Sequence, residues 1–237
     1  MDYFYCPPEN ISGNSITIDG DEFSHLTHVM RKKTGDEIRV VDGKGTAYDV
    51  RLNEIKKKTA SGVILKSYKN HNEPEIAVTL GVGILKNPSK FDFLVEKISE
   101  LGVKEIVPLH TGRTIPSHAK VDRWQKLALA AMKQSCRSYL PRVREMVSLY
   151  DFLSEKCIYD IKLIAHEQEE GASQIQKILT DEARSVVVLI GPEGGFSDDE
   201  IDRCLAAGYK QIYFGRRRLR TETAAIVAAA MLIVPSV

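Results

Sequence analysis

Residues 185–200 read Ser185-Val-Val-Val-Leu-Ile190-Gly191-Pro192-Glu193-Gly194-Gly195-Phe196-Ser197-Asp198-Asp199-Glu200. The run from Ser185 to Ile190 is apolar and β-branched, as a strand buried on both faces of a sheet requires. Glycines 191, 194 and 195 then let the main chain turn sharply and come close to a ligand. Ser197 and Glu200 have the spacing of a capping box, which starts a helix at Asp198. Strand, glycine-rich loop and helix form the building unit of a parallel α/β sheet. In such sheets ligands gather where loops leave the carboxyl ends of the strands.

The same alternation extends outward from this stretch. Apolar runs at Ile76–Val82, Ile106–Leu109, Ile161–Ala165 and Gln211–Phe214 predict further buried strands. Helical patterns lie between them. Pro88 opens one, with Phe91, Leu94, Val95, Ile98 and Leu101 on one stripe and Gly102 as its stop. Others run from Val121 to about Arg137, Ile175 to Leu179, Asp198 to Ala207 and Thr221 to Val234. The first 70 residues differ. Ser15–Ile18, Ile38–Val41, Ala47–Ile55 and Ala60–Tyr68 are short β-type runs separated by turns such as Asp42-Gly43-Lys44-Gly45, and they predict a small β-barrel. One helix, Glu22 to Lys33, interrupts them. Two domains follow, 1–70 and 76–237, joined by a polar linker at 71–75.

Composition narrows the function. The 237 residues carry 33 basic and 32 acidic side chains, a net charge of +1, with 43% hydrophobic residues. That is ordinary globular composition, neither disordered nor a polycation. The four cysteines, Cys6, Cys136, Cys157 and Cys204, show no C-x-x-C spacing and read as reduced thiols. The opening residues lack the basic and apolar regions of a signal peptide. The longest apolar run, Ala224–Val234, has 11 residues, where a membrane helix needs roughly 20. A cytoplasmic protein is expected. His25 and His28 lack further ligands at metal-site spacing, so no metal is expected. There is no Walker loop, dinucleotide fingerprint or nucleophile elbow.

Two further stretches carry charge. After the strand ending at Phe214 comes Gly215-Arg-Arg-Arg218-Leu219-Arg220-Thr221-Glu222-Thr223-Ala224, with four arginines in five positions beside an alanine-rich helix. Between Arg113 and Arg144 there are eight Lys/Arg and one acid, Asp122, a local charge of 8 − 1 = +7. Trp124 and Tyr139 lie within it. Such a basic stretch with nearby aromatics is the pattern expected for contact with a nucleic-acid backbone.

Taken together, Gly191-Pro-Glu-Gly-Gly195 and Phe214-Gly-Arg-Arg-Arg-Leu-Arg-Thr-Glu-Thr-Ala224 closely resemble the bacterial 16S ribosomal RNA (uracil-N3) methyltransferases of the SPOUT superfamily. His25-Leu-Thr-His28-Val-Met-Arg31 with Gly35-Asp36 is similar to that family's N-terminal signature. Lys90, Lys97, Glu100-Leu-Gly-Val103, Trp124, Lys133-Gln-Ser135, Arg137 and Pro141 resemble its first and central helices. The chain departs from the family at Phe214 and Arg218, where apolar residues are common, and at Thr111-Gly112-Arg113-Thr114. The resemblance implies a PUA-like β-barrel over 1–70 and a SPOUT α/β domain with a parallel sheet and a C-terminal trefoil knot over 76–237. It also implies S-adenosylmethionine as cofactor, 16S rRNA of the small ribosomal subunit as partner, and a homodimer.

By the same resemblance, the cofactor would sit among Leu189, Ile190, Gly191, Pro192, Glu193, Gly194, Gly195, Phe214, Gly215, Leu219, Arg220, Thr223 and Ala224. RNA would meet His28, Arg31, Lys32, Lys126, Lys133, Arg137 and Arg142. The chemistry asks for more than positioning. N3 of uracil carries a proton and is a poor nucleophile while it does, so charge developing on the base must be stabilised. Arg220, Arg113 and Arg137 are the cationic candidates, and Glu222 could orient an arginine or receive the proton. The alternative is an RNA-binding ribosome assembly factor that kept the fold and lost catalysis.

Overall fold

The computed structural model describes residues 3–166, 175–180 and 182–234. The chain divides into two compact units, Met1–Glu73 with Met132–Leu140, and Pro74–Ala131 with Pro141–Val237. In the first unit β1 (Tyr3–Tyr5), β2 (Ile11–Ser12), β3 (Ser15–Ile18), β4 (Glu37–Val41), β5 (Thr46–Ile55) and β6 (Ala60–Lys69) form one sheet in the order β1-β4-β5-β6-β3-β2. The alternation read in the sequence places Ile38, Val40, Val50 and Leu52 inside, in a core shared with Phe4, Ile16, Ile18 and Leu26. The two ends of the sheet are drawn together by Cys6, whose thiol donates to the carbonyl of Thr17 at 3.3 Å.

The helix expected over 22–33 is shorter and changes pitch. Helix α1 covers only Gly20–Ser24, and a π-helical turn follows at His25–Val29. The hydroxyl of Thr27 donates back to the carbonyl of Phe23 at 2.8 Å, and the main-chain N–H of Met30 reaches the carbonyl of His25 at 2.9 Å. Local bonding of this kind by threonine disturbs the helical ladder, and Arg31 ends the turn at φ 51°. His28 and Arg31 are exposed.

The second unit contains β7 (Ala77–Gly83), β8 (Glu105–His110), β9 (Arg142–Val143), β10 (Val147–Ser148), β11 (Ile161–Ala165), β12 (Ser185–Ile190) and β13 (Lys210–Ile212). The sheet runs β10-β8-β7-β12-β11-β13, with β9 also on β8, and every pairing is parallel. Helices α2 (Pro88–Leu101), α3 (Val121–Gln134), α4 (Leu149–Ser154), α5 (Ile175–Ile178), α6 (Asp198–Ala206) and α7 (Thr221–Ile233) connect and cover it. Helix α2 begins with Asn87 accepting from the N–H of Ser89 and stops at Gly102, φ 117°. Helix α7 packs on α2, β7 and β12. Its buried alanines 224, 225, 228 and 229 permit this close approach. The carboxylate of Asp160 accepts from the N–H groups of Arg184 and Ser185 and pins the start of β12 beside β11.

The +7 stretch is largely neutralised in the fold. Arg123 pairs with Asp92, Lys133 with Glu22, Arg137 with Glu73, Arg142 with Glu105 and Arg144 with Glu155. Lys126 is exposed and makes no ion pair among the described residues. Of the segment 71–75, read as a linker, residues 71–73 belong to the first unit and 74–75 to the second. Glu73 accepts from the guanidinium of Arg137 at 2.7 Å and from the N–H groups of Ser138 and Tyr139 at 2.8 and 2.7 Å. Helix α3 therefore ends at Gln134, short of Arg137, and Cys136 turns the chain at φ 59°.

Arg137 is only 3% exposed, so removing Glu73 would take away the carboxylate that faces this buried charge. Glu73→Ala is expected to cost about 3 kcal/mol in urea unfolding. A loss below about 1 kcal/mol would show the pair to be incidental to the fold.

Candidate active site

The loop 191–196 is set by one carboxylate. Glu200, 1% exposed, accepts from the N–H of Ser197 at 2.8 Å while the hydroxyl of Ser197 accepts from the N–H of Glu200. The expected capping box is thus formed. The second oxygen of Glu200 accepts from the N–H of Gly112 at 2.7 Å and fixes the turn after β8 to the start of α6. From that turn Arg113 donates to the carbonyl of Gly194 at 2.6 Å. Glu193 accepts from the N–H of Lys86 at 3.0 Å, and the hydroxyl of Thr221 donates to the carbonyl of Gly191 at 2.9 Å. The loop 191–196 is therefore held from β7, β8, α6 and α7 before any ligand arrives.

Two glycines make this path possible. A Cβ on Gly191 would lie 2.9 Å from the carbonyl carbon of Gly195, and Gly195 itself has φ 69°. Side chains other than glycine meet a steric penalty at both places. Gly194 does not take a left-handed conformation; its part is to offer its carbonyl to Arg113.

A cavity of about 790 Å³ opens beside this loop. Its walls come from the carboxyl ends of three adjacent strands: Ala165 and His166 after β11, the 190–196 loop after β12, and residues 214–219 after β13. This is where a parallel sheet is expected to bind a ligand. Of the residues singled out from the sequence, the cavity brings together Ile190, Gly191, Pro192, Glu193, Gly194, Gly195, Phe214, Gly215, Leu219, Arg220, Glu222, Ala224 and Arg113.

Three do not join them. Leu189 is fully buried behind the wall, packed with Val107, Leu109 and Val187. Thr223 points outward and is exposed, because on α7 it follows Thr221 and Glu222, which take the inward positions. Arg137 belongs to the first unit and is held by Glu73. Arg220 lines the cavity but is exposed, so its charge stands at the mouth rather than in a dry interior.

The cavity also uses residues that sequence reasoning left outside the site. Thr221 and Lys90 are the most informative. Lys90 comes from the first turn of α2 and lies 3.3 Å from Glu222. No local pattern links positions 90 and 222; only the packing of α2 on α7 does. His166 follows a parallel strand directly, and that position was the signal that could have found it. Arg216, Arg217 and Arg218 add to the wall, giving six cations against the carboxylates of Glu193, Asp198 and Glu222. The thiols lie elsewhere. Burial pushes Cys6 and Cys204 up to about 12, so neither is a nucleophile at neutral pH. Among the described residues no group of His, Cys, Asp or Glu is arranged to hold a metal ion, and no helix is long and apolar enough to cross a membrane.

Comparison with known proteins agrees with this geometry. A family model described as an RNA methyltransferase domain matches residues 72–233, and one described as an RNA methyltransferase PUA domain matches residues 18–65. The ribosomal RNA small subunit methyltransferase E of Synechocystis sp. is 30% identical over 95% of this chain and 75% of its own length. The crystal structure of a ribosomal RNA small subunit methyltransferase E from Neisseria gonorrhoeae, bound to S-adenosyl methionine, superposes with a TM-score of 0.87. It is 32% identical and the match covers 98% of this chain and 96% of that one. A methyltransferase from Legionella pneumophila, in complex with the same cofactor, gives a TM-score of 0.83 at 28% identity over 97% and 96% of the two chains. The cavity-bearing unit and the strand-rich unit before it thus have counterparts in one set of proteins, and the chain belongs to the RNA methyltransferase family that includes the ribosomal RNA small subunit methyltransferases E.

Proposed function

We propose that this protein is an S-adenosylmethionine-dependent methyltransferase that methylates N3 of a uridine in 16S rRNA of the small ribosomal subunit. The observation that carries the reading is the cavity at the carboxyl ends of β11, β12 and β13, with its preset glycine loop and cationic rim. The relatives' names and the bound cofactor of the Neisseria structure support it. The resemblance to SPOUT enzymes also supports a C-terminal trefoil knot and a homodimer.

The residues fit the cofactor. Gly191, Gly194 and Gly195 line the cavity, and at these positions no side chain stands between a ligand and the main chain. Ile190, Leu219 and Ala224 supply apolar surface for the adenine, and the loop's main-chain groups supply polar contacts. When bound, the sulfonium supplies an activated methyl group, and the protein's task is to present the acceptor. Arg220 at the mouth offers a planar donor pair to uracil oxygens, where negative charge grows as N3 becomes nucleophilic. The remaining arginines of the rim suit the phosphates that flank an extruded base. In the first unit His28, Arg31 and Lys32, at and after the π-helical turn, are the candidate RNA contacts. Lys126, in the second unit, is exposed and makes no ion pair among the described residues, whereas the charges of Lys133 and Arg137 in the first unit and of Arg142 in the second are met by carboxylates.

Gly191→Val should weaken S-adenosylmethionine binding by at least tenfold in calorimetry, with the protein still folded; unchanged affinity would move the cofactor elsewhere. Lys126→Glu should lower RNA affinity and reduce the slope of log K against log salt by about one; an unaltered slope would remove Lys126 from the RNA contact. Arg220→Lys should slow single-turnover methylation of 30S subunits about a hundredfold while cofactor affinity changes little. Equal losses in RNA binding and turnover would instead make Arg220 a docking residue. A chain that binds RNA but no cofactor would be an assembly factor, not an enzyme.

A further inference from the structure

We infer that Glu222, positioned by Lys90, accepts the proton that leaves uracil N3; this rests on the methyltransferase reading above. Glu222 stands in the first turn of α7, lines the cavity and is 8% exposed. Its Oε1 lies 3.3 Å from the Nζ of Lys90. Its Oε2 is buried and has no hydrogen-bond partner among the described residues. A buried carboxylate oxygen without a donor is costly. A fold retains one where a donor arrives with the substrate, and the N3–H of uracil is such a donor.

The other carboxylates of the cavity are differently placed. Glu193 is committed to the N–H of Lys86, and Asp198 is exposed at the start of α6. Arg216, Arg217, Arg218 and Arg220 are exposed, whereas the free oxygen of Glu222 is buried. His166 is the other proton acceptor on the wall, half-buried after β11. Among the described residues neither ring nitrogen of His166 stands buried without a partner, as Oε2 of Glu222 does, so Glu222 is the better-placed acceptor.

In the transfer, the N3–H bond breaks and an O–H bond forms on Oε2 of Glu222. The electron pair left on N3 makes the new N–C bond as the methyl–sulfur bond breaks, and that bond's pair stays on sulfur as a neutral thioether. The proton on Glu222 passes to solvent after product release. Lys90 takes no proton in this scheme. It holds Oε1, leaves Oε2 as the oxygen without a donor, and is a positioning residue.

The test uses full-length protein, 30S subunits lacking the modification and single-turnover conditions, with the product identified as N3-methyluridine by mass spectrometry. Glu222→Gln should lose about a hundredfold or more in rate, with calorimetric affinity for S-adenosylmethionine unchanged within about threefold. Lys90→Met should lose about tenfold alone and add almost nothing in the Glu222→Gln background, because the two act through one carboxylate. RNA carrying 5-fluorouridine, whose N3 proton is looser, should recover a large part of the loss in Glu222→Gln. Any loss in His166→Asn should gain nothing from 5-fluorouridine. If the parent protein makes no N3-methyluridine, the methyltransferase reading and this role fall together. If the parent is active and Glu222→Gln keeps its rate, gains nothing from 5-fluorouridine, or loses cofactor binding, only the role of Glu222 is overturned. That role is equally overturned if His166→Asn shows the loss and the rescue.

Discussion

A single buried carboxylate organises the catalytic unit. Glu200 spends one oxygen on the cap of its own helix and the other on the N–H of Gly112, 88 residues away in the chain. Both bonds are to main chain, so they fix the paths of two loops and not merely two side chains. Once the turn at 111–114 is fixed, Arg113 can reach the carbonyl of Gly194. With that loop fixed, Thr221 can bond Gly191 and α7 begins in register. Charge-assisted bonds of this kind are strong, and a carboxylate this deeply buried must have its acceptors filled. Preset loops lower the ordering cost of ligand binding.

The parallel sheet is legible in the sequence because its strands are short apolar runs punctuated by glycine. Ile161–Ala165 and Ser185–Ile190 coincide with the observed strands, and the capping box marks the start of α6. The features that sequence does not reveal are either too short or too distant. Strands β9 and β10 have two residues each and carry no period. The pitch change in the first unit is accompanied by a bond from the Thr27 hydroxyl to the carbonyl of Phe23, which composition does not disclose. Within the site, the loop residues are legible because glycine and arginine clusters are local signals. Leu189 and Thr223 are each one step of backbone direction away from the cavity, and Lys90 is invisible because only tertiary packing brings it to Glu222.

Charge counting has the complementary weakness. A stretch with eight cations and one acid looks like a nucleic-acid surface. Yet five of those cations meet carboxylates that lie outside that stretch, among them Glu22, Glu73 and Asp92. Arginine at position 137 serves the fold of the first unit, as its burial shows. Exposed positive charge is concentrated instead along 216–220, beside the cavity, where it sets up a field that favours an anionic ligand.

Strand β12 lies between β7 and β11, yet it is made after both. A chain emerging from the ribosome therefore holds two unsatisfied strand edges until residue 190 is available. Pairings this distant in sequence form slowly. The strand that fills the gap also carries the glycine loop at its end, so closing the sheet between β7 and β11 sets that loop of the ligand cradle, and the wall after β13 can only form afterwards. A half-made or misassembled chain has no cradle, and competence to bind a ligand becomes a report that folding has finished.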